Sequence, residues 1–258
     1  MNDRLLPFER IENFRDFGGY QTADGLIARG QLFRSGLHAR ATDDDLAHMA
    51  SLGIGTIVDL RRRSERLAQP SRRPQGWTGQ VVESDLGGDG EAPHIQFLQT
   101  QSLTAQSARD YMGGAYTRMP YEPNHLALFR AYFEALAQGQ GPVLIHCAAG
   151  KDRTGLLAAL THRFLGVHDD DLMADYLATN DAINLDARID QMGQRLQKVT
   201  GKTVEPEAVV AFLGVEPAFL DQAWRAIKAE SGNVETYFEQ ALGLQAAEIA
   251  RIRKRLLA

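Results

Sequence analysis

Residues 142–165 read PVLIHCAAGKDRTGLLAALTHRFL, and the reading of this stretch decides the fold. PVLIHC is a short apolar run preceded by the breakers Gly139, Gly141 and Pro142. A run of that length bounded by turn residues predicts a buried strand. From Thr154 to Leu165 the pattern is helical. The unit is therefore strand, loop, helix, which predicts an α/β architecture.

The chain outside this stretch supports the same class. Residues 52–60, LGIGTIVDL, form a second short apolar run after the helix-like TDDDLAHMASL. There Thr42 is followed by three acids, an N-terminal cap with negative charge against the helix dipole. Further helices are predicted over 125–138, 169–179, 184–199, 206–213, 216–230, 234–242 and 245–257. The fold expected is a central, largely parallel sheet flanked by helices, with a C-terminal third that is almost all helical. Residues 84–120 are rich in Gly, Gln and Ser with weak periodicity, and are expected to be a mobile loop region. No polar linker separates the halves, so residues 1–258 are expected to form one domain.

Composition narrows the function. At 44% hydrophobic, 24% charged and 8% aromatic, the chain is ordinary for a globular protein. A net charge of -5 argues against a general nucleic-acid binder, while leaving room for a few cations around an anionic ligand. No apolar stretch approaches the roughly 20 residues that span a bilayer, so no stable membrane insertion is expected. The start, MNDRLLPFERIENF, has no apolar signal core, which predicts a cytoplasmic location or export without a visible signal peptide. The chain has one cysteine, Cys147, so neither an internal disulfide nor a cysteine-based metal cluster can form.

That cysteine stands where a strand hands over to a helix. A loop there turns successive backbone N–H groups inward, and the helix N-terminus adds positive potential. Such a field favours a thiolate and binds a phosphate dianion. Ala148, Ala149 and Gly150 suit a cradle whose interior stays clear for oxygens. Arg153, six residues after the cysteine, offers a planar fork for two of them. Thr154 is placed to donate its hydroxyl to the Cys147 sulfur, and His146 to bond the loop backbone in a supporting role. Lys151 is expected to meet a second negative group on the ligand. A nucleotide-binding loop of the GxxxxGK[ST] kind is excluded, because Ile145 stands at the first glycine and Asp152 follows Lys151. A sulfurtransferase would also use a strand-end cysteine, but a basic loop ending in Arg-Thr-Gly fits phosphate better.

HCAAGKDRTG, residues 146–155, resembles the Cys-x5-Arg-Thr signature of protein tyrosine and dual-specificity phosphatases. Its Gly-Lys-Asp-Arg filling resembles an atypical bacterial branch that also acts on phosphoinositides. NFRDFGGY (13–20), RGQLFRSG (29–36), IVDLRRRSE (57–65) and the late YFEQALGLQAAEIARIRKRLL resemble that branch's blocks in order. The resemblance implies a tyrosine-phosphatase-like fold, a helical lid over 169–200, and phosphomonoester hydrolysis through a phosphocysteine without metal or cofactor. Partners implied are phosphorylated proteins or phosphoinositides.

Three carboxylates compete for the role of general acid, in the order Asp152, Asp59, Asp85. Asp152 lies in the loop, and the resemblance implies it; Asp59 ends a strand and could instead anchor Arg61; Asp85 lies in the expected mobile region. Arg15 is expected to pair with Asp16, and Arg61 with Asp59. Arg34 is a candidate for the pocket floor, and RRRSER (61–66) reads as a solvated basic face. Two other classes compete with the enzyme: a catalytically silent phosphate-reading module, which the joint presence of Cys147, Arg153, Thr154 and an acid argues against, and a membrane-surface regulator.

Overall fold

The computed structural model describes residues 4–87, 90, 93–201 and 203–258. Its central sheet runs in the order β1 (Arg15–Asp16), β4 (Leu32–Ser35), β7 (Val143–His146), β5 (Thr56–Asp59), β6 (Gln80–Val82). Only β1 is antiparallel to its neighbour. A separate hairpin joins β2 (Gln21–Thr22) to β3 (Gly25–Leu26). The largely parallel sheet flanked by helices expected from the sequence is present.

Both faces of the sheet are covered, and the strands alternate accordingly. On β7, Val143 and Ile145 join one core and Leu144 the other. The first core is built from α5 (Pro123–Gln138) and α6 (Asp152–Leu165), with Phe129, Phe133, Leu157 and Leu160 fully buried. The second sets Phe14, Phe33 and Ile57 against Met49 of α1 (Asp43–Ser51). Thr42 caps α1, its hydroxyl accepting from the Asp45 amide. A short α2 (Arg63–Ala68) follows β5.

The register places Ser35, His146 and Asp59 abreast at the carboxyl ends of β4, β7 and β5. Ligands of parallel sheets bind in the crevice beyond such ends. The loop after β7 opens there.

The rest of the chain is helical. After α3 (Pro93–Thr100) and α4 (Ala105–Arg118) come α7 (Asp169–Ala182), α8 (Leu185–Thr200), α9 (Pro206–Leu213) and α10 (Pro217–Ser231). The chain closes with α11 (Val234–Thr236), which continues as a π turn over Tyr237–Ala241, and α12 (Ala246–Leu256). α4 packs on α9 and α10, and α8 on α9 and α3.

The expectation of a mobile loop over 84–120 is corrected: its described residues fold mostly into α3 and α4. α4 starts with a reciprocal cap between Thr104 and Ser107, and buries Ala108, Met112 and Tyr116 at four-residue spacing. That stripe is one residue wide per turn, and Gly113 and Gly114 dilute it further. Tertiary burial against α9 and α10, rather than local propensity, makes this segment a helix.

Candidate active site

Cys147 is a buried free thiol at the floor of a pocket of about 300 Å³. Ala148, Ala149, Lys151, Asp152 and Arg153 line the same pocket. The loop is held by its carbonyls. Ala148 O accepts from the Leu37 amide at 3.0 Å. Gly150 O accepts from Asn13 Nδ2 at 2.7 Å and from Arg34 Nη2 at 3.1 Å. In a trans peptide the N–H points opposite to the C=O. Pinning those two carbonyls outward therefore aims the Ala149 and Lys151 amides inward. Gly150 has φ +66°, and a Cβ there would lie 2.4 Å from Ser35 O, so no other residue fits the turn.

Arg153, the second residue of α6, is gripped from behind. Its Nη1 donates to Glu65 Oε2 at 2.6 Å and its Nη2 to Glu65 Oε1 at 2.8 Å, a bidentate pair, while Nη1 also reaches Leu60 O at 3.2 Å. Burial alone would push the Glu65 carboxyl up; Arg153 and the Arg62 amide outweigh it and bring it down to about 2. Burial would likewise weaken the Arg153 guanidinium, and Glu65 more than reverses this. The RRRSER segment is therefore more than a solvated face: Glu65 holds Arg153, while Arg62 lines the pocket. Arg63 does face outward, toward Asp85, while Arg66 is largely buried, donating to Arg61 O and Ser84 O as well as meeting Asp85.

Asp152 opens α6, and its Oδ1 accepts from Tyr116 Oη at 3.1 Å. Tyr116 in turn accepts from Tyr176 Oη at 2.8 Å. Burial keeps both phenols protonated, far above the usual range. The carboxyl is thus held in one orientation by a tyrosine chain running back to α7. Of its two rivals, Asp59 is buried and bonded to Arg61 at 2.7 Å, and Asp85 is exposed; neither lines the pocket. The Arg61–Asp59 pair read from the sequence is present.

His146 and Asp59 support the loop from below. His146 Nδ1 lies 3.4 Å from Cys147 O, and its Nε2 lies 3.5 Å from Asp59 Oδ2. The ring stacks on His38 with centroids 4.2 Å apart, and His38 Nε2 meets Ser35 Oγ at 2.9 Å. Burial lowers both imidazoles and keeps them neutral. Burial would raise Asp59, but His146, once acid protonates its ring, and Arg61 bring it down to about 2.

Three contacts differ from expectation. Lys151 Nζ donates to Phe212 O of α9 at 2.9 Å, because the side chain turns sideways into the pocket wall. Thr154 is fully buried in the first turn of α6, and its Oγ1 makes no hydrogen bond among the described residues, so the expected bond to the Cys147 sulfur is not formed. Arg15 pairs with Asp175 of α7 rather than Asp16, whose carboxylate is taken by the amides of Gly18 and Gly30 at 2.8 and 2.7 Å. Arg34 meets the same Asp175 at 2.7 Å and lies behind the loop, not in the pocket.

The walls come from segments whose role sequence reasoning missed. Tyr111, Met112 and Met119 stand on one side, Phe212 and Leu213 on another, and Pro93 and His94 near the mouth. Phe97 stacks on Tyr111 at 4.4 Å and lies 6.0 Å from Phe212, tying α3, α4 and α9 together. Among the described side chains of 169–200 none lines the pocket; those helices reach it through the α8–α9 packing and through Tyr176. Glu65, Asn13 and Tyr116 were also not singled out. The available signal for Glu65 was a lone acid inside a basic run beside a strand end.

A strand-end thiol, a helix N-terminus, an arginine six residues on and a neighbouring carboxyl form an arrangement that can hold an anion against a thiol. Known proteins agree. The chain belongs to the tyrosine phosphatase family, whose model matches residues 6–258, and as a member it is a phosphatase. It is 32% identical over 248 residues to a protein of Cupriavidus necator that carries the name of a tyrosine-protein phosphatase, covering 95% of this chain and 86% of that one. It is 31% identical over 274 residues to the triple specificity protein phosphatase PtpB of Mycobacterium tuberculosis, covering 95% of this chain and 96% of that one. Among solved structures it is similar to P. aeruginosa TpbA, with a TM-score of 0.30 and 17% identity over 67% of this chain and 88% of that chain.

Proposed function

We propose that this protein hydrolyses phosphomonoesters, phosphotyrosine proteins first among them, through a phosphocysteine at Cys147. The Cys147 thiolate attacks phosphorus in line, and an S–P bond forms as the P–O bond to the leaving group breaks. Asp152 gives its proton to the departing oxygen. Arg153 and the inward amides hold the non-bridging oxygens through the transition state. Water then attacks the phosphocysteine, passes a proton to Asp152 and releases phosphate and thiolate.

The observation that carries this reading is that Cys147, Asp152 and Arg153 line one pocket, at the carboxyl end of a parallel sheet and the N-terminus of α6. The walls favour an aryl ester, since Tyr111, Met112 and Phe212 would lie against a ring. Phosphoserine, phosphothreonine and phosphoinositides are further candidate substrates. The name of the M. tuberculosis relative supports breadth. A second phosphate would have to draw Lys151 away from Phe212 O. A panel of phosphotyrosine, phosphoserine and phosphothreonine peptides beside phosphoinositide vesicles, with Cys147→Ser as control, tests the reading. Turnover fastest on phosphotyrosine and lost in the control is expected. Binding without turnover in both proteins would instead make this a phosphate-reading module.

A further inference from the structure

Three sequence blocks outside the loop each place one ion in the interior. Arg15 comes from NFRDFGGY, Arg34 from RGQLFRSG and Asp175 from DYLATND. Both arginines are 0% exposed and Asp175 is 2% exposed. Asp175 Oδ1 accepts from Arg15 Nε at 3.2 Å and its Oδ2 from Arg34 Nη1 at 2.7 Å. Arg15 also reaches the Asp175 carbonyl at 2.9 Å and Thr179 Oγ1 at 3.2 Å, while Arg34 Nε has no hydrogen-bond partner among the described residues.

One carboxylate between two guanidiniums leaves one positive charge. The titratable groups packed around them do not cancel it. Burial pushes Tyr20 up to about 12 and Tyr176 well above the usual phenol range, and it lowers His162, so all three stay neutral. Burial and Arg34 bring Arg15 down to about 10, which still leaves it charged at neutral pH. Burial would raise Asp175, but the arginines hold it below the usual carboxylate range. Asp16 turns its carboxylate away, onto the Gly18 and Gly30 amides. A buried ion without a counter-ion is costly, and apolar residues would stabilise such an interior as well or better. A net charge here therefore calls for an anion.

Arg34 connects that charge to the pocket. Its Nη2 donates to Gly150 O, the carbonyl whose outward turn aims the Lys151 amide inward. Gly155 permits the approach: a Cβ there would lie 3.3 Å from Arg34 Nη2 and 3.2 Å from the Tyr176 ring. Asn13, which also accepts from Arg15, is the second donor to the same carbonyl.

We propose, resting on the phosphate site described above, that Arg34, Arg15 and Asp175 are positioning residues that fix the loop through Gly150 and lend the anion site one buried positive charge. The three blocks then act as one device behind the loop, and α7 is its anchor.

Alkylation of Cys147 by anionic iodoacetate and neutral iodoacetamide, with inorganic phosphate as the competing anion, separates charge from fold. In the wild type, phosphate protection of Cys147 tests the site itself, whatever the variants do. Arg34→Met is expected to lower the iodoacetate-to-iodoacetamide rate ratio about tenfold and to weaken phosphate binding by a similar factor, as loss of a nearby charge in a low-dielectric interior requires. Arg34→Lys keeps the charge and should hold the ratio within about twofold. Asn13→Gly loses the bond to Gly150 O and the acceptor it gives Arg15 but removes no charge, and should weaken phosphate about threefold at an unchanged ratio. A role confined to folding would shift both reagents together. A wild-type ratio and phosphate affinity in folded Arg34→Met would overturn the proposal. If that variant does not fold, a fall in the Arg34→Lys ratio as large as that expected for Arg34→Met, or unchanged phosphate affinity in Asn13→Gly, overturns it equally.

Discussion

The floor and the walls of the pocket are built in opposite ways. The floor is a short loop between a strand and a helix, held by local geometry and buried ions: Gly150 in its turn, Arg153 on Glu65, Arg34 on Gly150 O. The walls are helices from distant parts of the chain, joined by apolar contacts among Leu98, Leu103, Ala108 and Phe212. On the function proposed here, polar geometry at the floor sets which bond is broken, and apolar surface on the walls sets which molecule reaches it. Changes to the floor should therefore fall on kcat, and changes to the walls on KM and substrate preference.

The largest expected effect is at the nucleophile. Cys147→Ser should cost at least about 10⁴-fold in kcat, read with a phosphotyrosine peptide. Asp152→Asn should slow an alkyl phosphate about 10²–10⁴-fold while sparing an activated aryl phosphate. Equal losses on both substrates would make Asp152 a binding group and remove the acid from the floor. Arg153→Lys should cost about 10²–10³-fold in kcat, since an ammonium cannot replace the fork. Phe212→Ala, on the wall, should raise KM several-fold with kcat within about threefold, and destabilise the fold by about 3–5 kcal/mol. A kcat loss there as large as that of Arg153→Lys would erase the division between floor and walls.

The smallest effect is a pH dependence. Glu65 has its carboxyl depressed to about 2 in the folded state. Its contribution is therefore complete above its unfolded value near 4.5 and is lost as pH falls toward 2. Acid unfolding of Glu65→Gln should be less steep in that window than that of the wild type, with no difference between the two slopes above it.

The same division explains what the sequence revealed. HCAAGKDRTG is legible because strand, turn and helix lie within one short stretch, and each residue type has a local reason to be there. The two inner strands were legible for the same reason, as apolar runs between breakers. Helix α4 was not, since its stripe of Ala108, Met112 and Tyr116 is narrow and Gly113 and Gly114 lower its helix propensity. It exists because α9 and α10 cover it, a fact about residues 206–231 that no local window contains. Arg15 illustrates the same limit within the site. Asp16, its neighbour in sequence, was the natural partner on spacing alone, yet adjacent residues of a strand point to opposite faces. The partner that it does find, Asp175, lies 160 residues away. Pairings that close over such distances follow from topology.

The central claim is that Cys147 carries the phosphoryl group during turnover. Acid-quenched turnover of a phosphotyrosine peptide, followed by digestion and mass spectrometry, tests it most directly. One phosphoryl group should accumulate on the peptide containing Cys147 within the first turnover and vanish as substrate is exhausted. Steady release of phosphate with that peptide unmodified at every time point would contradict the claim.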